Sequence, residues 1–253
     1  MTDEAELDAL VEQVLELTTP PEGFKPALNQ DAILIGFLFR CRVYLKALRT
    51  LVREGLDEAC DPLARAALEL SITGQWLMAD PGKNFPLVLG AFRRDWQLLR
   101  QDYELHIGVP FPDDSHLGPL VDPGALDMPE PVKLPPLPQR AREVGQLIWY
   151  AMYRLTSLRS HGTLLAAAVP ELAAEQGVAA EPSSIGRLYL TLASVASLLL
   201  AGQASQHFRW DRLARLEELA KTVVAAGTDT PRERIDAMLE AWGQFALEDE
   251  TDP

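Results

Sequence analysis

The sequence predicts an all-α protein, on three observations. Apolar residues recur at helical spacing along nearly the whole chain, no alternating strand pattern bounded by hairpin turns is present, and glycines and prolines fall where the periodicity breaks. The expected architecture is a bundle of about seven to nine helices with a long proline-rich crossover.

The first helix is expected over about Asp3 to Leu17. Leu7, Leu10, Val11, Val14 and Leu15 share one face there, and the acids near its start suit the positive end of the helix dipole. Thr18-Thr19-Pro20-Pro21 ends it, because proline lacks the amide donor. A long second helix begins between Asn29 and Asp31 and runs to Arg53 or Glu54 before Gly55; its apolar first half, Ala32 to Phe39, predicts burial on several sides. The third spans about Asp57 to Met78 and stops at Asp80-Pro81-Gly82, and the fourth spans about Phe85 to His106 before Gly108.

Residues 108–139 then carry nine prolines, which no helix or central strand tolerates. They read as a connector lying on a single domain, 1–253, between helical groups 1–107 and 140–247, with two independent domains as the alternative. Beyond it, helices are expected over Gln139 to His161, Pro170 to Gln176, Ser184 to Gln203, Phe208 to Ala226 and Pro231 to Phe245. The stretch between Arg187 and Arg209 carries no charge, but Thr191, Ser194, Ser197 and Gln203 make it too polar for a bilayer. Leu188, Leu192, Val195 and Leu199 fit a core stripe, so a buried helix and no membrane partner are expected.

The 253 residues are 47% apolar and carry a formal charge of −14, which argues against a non-specific coat on nucleic acid or anionic membrane. By segment, residues 1–30, 106–139 and 245–253 are acidic, whereas 140–161 sets Arg140, Arg142, Arg154 and Arg159 against Glu143 alone. Two cysteines, Cys41 and Cys60, make no disulfide framework, and the acidic start lacks a signal-peptide pattern, so a cytoplasmic location is expected.

The positive segment also holds the best polar constellation, Tyr153, Arg154, Ser157 and His161. On a helix turning about 100° per residue from Tyr153, Ser157 lies near about 40°, His161 near about 80° and Arg154 near about 100°, so all four share one arc. On the third helix, Arg65 and Glu69 stand four apart, either as a same-helix ion pair or as a brace for that arc. Asp102 and His106 offer two metal ligands at helical spacing, too few for a site, and no metal or cofactor is expected. Arg209, Arg212 and Arg215 with Phe208 and Trp210 form a small basic-aromatic patch diluted by Asp211, Glu217 and Glu218, which reads as surface helix.

The interval from Arg154 to His161 resembles the Arg-x4–6-His signature of the HEPN superfamily, all-helical proteins that include RNA-cleaving toxins and phage-defence effectors; Arg100 to His106 repeats the spacing. Arg65-x3-Glu69 followed by Tyr153-x3-Ser157-x3-His161 is also similar to a pattern in a loose group of bacterial all-helical proteins. The resemblance implies metal-independent RNA cleavage by attack of the ribose 2′-hydroxyl on the adjacent phosphate. His161 would then be the general acid or base, Arg154 the phosphate clamp, Tyr153 and Ser157 orienting or donating groups, and a homodimer would pair two such faces. RNA or a small anionic ligand, and a protein partner or inhibitor, are the expected partners. Two other readings stay open: a non-enzymatic helical interaction protein, and a bundle that binds a small anion at the Arg154/His161 face.

Overall fold

The computed structural model describes residues 3–27, 29–111, 129–160 and 182–228. Among these residues the chain is all-α, with eight α-helices, one short 3-10 helix and no strand. In chain order they are α1 (Asp3–Leu17), α2 (Asn29–Arg53), the 3-10 turn Asp57–Cys60, α3 (Asp61–Ala79), α4 (Pro81–Ile107), α5 (Leu137–Glu143), α6 (Leu147–Ser160), α7 (Pro182–Phe208) and α8 (Leu213–Thr228). Expected helices at Pro170 to Gln176 and Pro231 to Phe245 lie outside the described residues. The contacts group the residues within Met1–Trp76 and Leu137–Pro253 into one compact unit and those within Leu77–Pro136 into another.

In the larger unit α7 packs against α1, α2, α8 and the 3-10 turn. The expected face of α1 is buried at all five positions: Leu7, Leu10, Val11, Val14 and Leu15. Along α2 the buried stripe is Leu34, Leu38, Cys41, Leu45 and Leu48, one residue per turn of a single face. The apolar first half of α2 is therefore covered on one side and not on several: Phe39 is 62% exposed, and Ala32 and Gly36 are exposed as well. Ile185–Phe208 is long and apolar enough to cross a membrane by length and composition, and 72% of an apolar 18-residue stretch within it is buried inside the fold. Ala193, Ser197 and Ala201 are fully covered on it, Leu192 and Val195 are buried, and Leu188 is exposed.

Polar ties fix the helix ends. The guanidinium of Arg49 on α2 holds the Asp8 carboxylate of α1 through Nε at 2.7 Å and Nη2 at 2.8 Å, and Arg53 adds a bond to Asp8 at 2.6 Å. These cations hold the Asp8 carboxyl well below the usual carboxylate range. At the far end of α2, Asp31 meets Nε2 of His207 on α7 at 2.8 Å.

One capping motif ends three helices. In each case an N–H reaches back five residues while the preceding residue takes a left-handed conformation. Leu56 donates to Leu51 at 2.8 Å after Gly55, Gln146 to Ala141 at 2.7 Å after Gly145, and Trp210 to Ser205 at 2.9 Å after Arg209. The second splits the single helix expected over Gln139 to His161 into α5 and α6. The third delays the last described helix, expected from Phe208, until Leu213.

In the smaller unit α4 begins at Pro81, before the expected Phe85, because the Asp80 side chain caps it by accepting from the Lys83 N–H at 3.1 Å. Gly108 closes it in a left-handed conformation. Residues 129–136 of the proline-rich stretch form no regular element, and Val132 N–H donates to Gly90 O of α4 at 3.2 Å. Arg93 Nη1 donates to Pro129 O at 3.0 Å. A Cβ at Gly90 would lie 2.6 Å from the Glu130 carbonyl, so only glycine admits this approach. Residues 112–128 of the connector lie outside the described residues.

Candidate functional site

Two lengths of chain that are far apart in sequence meet along α3 and the α5–α6 pair, within the larger unit. On α3, Arg65, Glu69, Thr73 and Trp76 stand at intervals of three or four residues and so share one face. Arg65 Nη2 donates to the phenolic oxygen of Tyr153 on α6 at 2.8 Å, and the guanidinium carbon lies 4.9 Å from the tyrosine ring centroid. Tyr150 stacks on Tyr153 with centroids 6.0 Å apart.

Beside this pair is a cation that the sequence-level site did not include. Arg140 on α5 is 6% exposed, and its Nη1 donates to Thr73 Oγ1. Thr73 Oγ1 in turn donates to the Glu69 carbonyl at 2.6 Å. Burial pulls the Arg140 guanidinium below the ordinary arginine range, and the charge of Glu69 and the phenol of Tyr153 oppose that shift. One turn further along α3, Trp76 Nε1 donates to Glu143 at 2.6 Å, Gln139 donates to the other Glu143 oxygen at 3.0 Å, and Gln146 donates to Gln75 at 3.1 Å. Polar bonds thus tie α5 to α3, and after the αL turn at Gly145 α6 brings Tyr153 to Arg65.

The residues expected on the α6 arc are placed unequally. Tyr153 is half-buried; Ser157 is buried and donates to the Tyr153 carbonyl at 2.7 Å, so its proton is committed within the helix. Arg154 is exposed to solvent. His161 lies outside the described residues, immediately after the last residue of α6. Arg65 and Glu69 are half-buried on α3. The structure therefore joins Arg65 to Tyr153 and adds Arg140. Its only sequence signal was membership of the positively charged segment 140–161.

The second Arg-to-His spacing sits elsewhere. Arg100 and His106 are exposed on α4, where Arg100 Nε pairs with Glu104 at 2.9 Å. Asp102 is likewise exposed, and among the described residues no group of three or more His, Cys, Asp or Glu is placed to hold a metal ion.

Residues 31–108, from α2 through α4, match a family model. That segment is similar to a family of unknown function, DUF5677. The match includes Arg65, Glu69 and Thr73 and ends before Arg140 and Tyr153, so it covers one wall of the seam. No curated protein and no solved structure matches the chain.

Proposed function

We propose that the α3–α5–α6 seam is the phosphate-binding side of a HEPN-like, metal-independent ribonuclease. The observation that carries this reading is the bond from Arg65 to Tyr153, with the buried Arg140 close enough to feel the Tyr153 phenol. A half-buried guanidinium and phenol backed by a buried second cation, with Glu69 and Glu143 the acids of the seam, suit a phosphodiester: a phenol that donates to an oxygen and positive charge behind it.

In this reading His161 follows directly from the α6 turn that carries Tyr153 and Ser157, and the exposed Arg154 meets the substrate phosphate. The base removes the ribose 2′-hydroxyl proton, the 2′-oxygen attacks phosphorus, and the P–O5′ bond breaks. The departing 5′-oxygen takes a proton from a general acid, leaving a 2′,3′-cyclic phosphate and a 5′-hydroxyl. Arg65 holds Tyr153 in place and Arg140 supports the surface from below.

A labelled single-stranded RNA incubated with the full chain in the presence of a chelator tests the proposal. Cleavage by the wild type is expected to fall about 100-fold or more in His161→Ala and in Arg154→Ala, with circular dichroism unchanged. No cleavage by the wild type, or equal cleavage by all three, overturns it.

A further inference from the structure

A second concavity lies on the larger unit, away from the α3–α5–α6 residues, where the end of α1 meets the turn between α7 and α8. Its volume is about 590 Å³, within the range of small-molecule sites, and its wall includes Glu16, Pro20, Asp211, Arg212, Arg215 and Leu219. Arg212 and Arg215 of the basic-aromatic cluster thus stand in the wall of a concavity.

Three features of the wall favour an anion. Arg212 is held by bonds from Nη1 to the Leu17 and Thr19 carbonyls at 2.7 and 2.6 Å, and it lies 4.9 Å from the Trp210 ring centroid. Among the described residues its Nε and Nη2 make no hydrogen bond, so that edge of the fork is unspent. Arg215 makes no ion pair or hydrogen bond among the described residues and lies close enough to Arg212 to disfavour its charge. Both arginines also stand at the start of α8, where the helix dipole repels cations and attracts anions, an arrangement that an anionic ligand relieves. The turn itself is held at Arg209, a non-glycine residue with φ of 56°, a strained conformation of the kind that collects at binding sites.

The same wall carries two carboxylates, Glu16 and Asp211, that pair with neither arginine, so opposite charges share the cavity without neutralising each other. Pro20 and Leu219 add apolar surface. We propose that this cavity binds a zwitterionic small molecule of the α-amino-acid class, its carboxylate on the Arg212–Arg215 side and its ammonium toward Glu16 and Asp211.

Calorimetric titration of the full chain with each of the twenty α-amino acids, and with acetate and inorganic phosphate, tests this. At least one amino acid is expected to bind more tightly than acetate or phosphate, and Arg215→Gln, an exposed position whose loss leaves the fold intact, is expected to weaken it about ten-fold or more. Binding by no amino acid, equal binding of acetate or phosphate, or unchanged binding in Arg215→Gln overturns the proposal.

Discussion

Arg140 and Arg154 are both arginines of the positive segment, and burial alone separates their contributions. Arg140 is 6% exposed and its hydrogen bond to Thr73 ties α5 to α3; replacing it with alanine strips a buried network of its cation. Arg140→Ala is expected to cost about 3 kcal/mol in urea unfolding, whereas Arg154→Ala, at an exposed position, should stay within about 0.5 kcal/mol. Equal costs would show that the seam is not held as described. The two cysteines make the same point about chemistry. Burial pushes the Cys41 thiol up to about 12, and burial with the nearby Asp57 and Asp61 charges pushes Cys60 to about 11. Neither forms thiolate at neutral pH, so both are expected to resist a thiol reagent in the native state and to react once the chain is unfolded, as counted by mass spectrometry.

The same capping motif operates at Gly55, Gly145 and Arg209, and it explains where the expected helices and the observed ones part. Gly55 follows the end of an apolar pattern and reads as a stop. Gly145 lies inside an apolar pattern that continues on both sides, so periodicity carries one helix through it; the interruption is the left-handed turn at Gly145, with the Gln146 N–H bonded back to Ala141. Arg209 carries no signal at all, because arginine disfavours the left-handed conformation it adopts. Opposite effects on stability follow. Gly145→Ala should destabilise the protein by about 1 kcal/mol and Arg209→Gly should stabilise it by a similar amount, measured as shifts in urea midpoint. Close packing sets a harder limit at Gly227, where a Cβ would fall 1.7 Å from Thr191 Oγ1, so Gly227→Ala is expected to cost about 1–3 kcal/mol by forcing α8 away from α7.

For the whole molecule, the acidic excess predicts how the fold responds to pH. The Asp8 carboxyl is depressed by Arg49 and Arg53, so its contribution to stability is present above the ordinary aspartate value of 3.8 and is lost as pH falls through the lower folded value. Because Asp8 is partly exposed, the contribution is about 1 kcal/mol after screening. Asp8→Asn should lower stability by that amount at pH 7, and the difference from wild type should vanish at strongly acidic pH. A gap that persists there would place the effect in packing and not in charge.

The amino-acid sequence by itself determined the helical class, the five buried positions of α1, the limits of α1 and α2 and the one segment of opposite charge, because these depend on residue spacing and local charge alone. It also supplied both halves of the candidate site, the Arg65–Glu69 pair and the Tyr153–Ser157 arc, with a brace between them as one of two readings. Only the tertiary structure decided that Arg65 reaches Tyr153 across 88 positions of chain, that Arg140 is buried beside them, and that the arginines after α7 line a cavity. Those relations depend on the direction the chain takes after the left-handed turns at Gly145 and Arg209 and on which faces become buried. Neither quantity is encoded in the spacing of residues along a single helix.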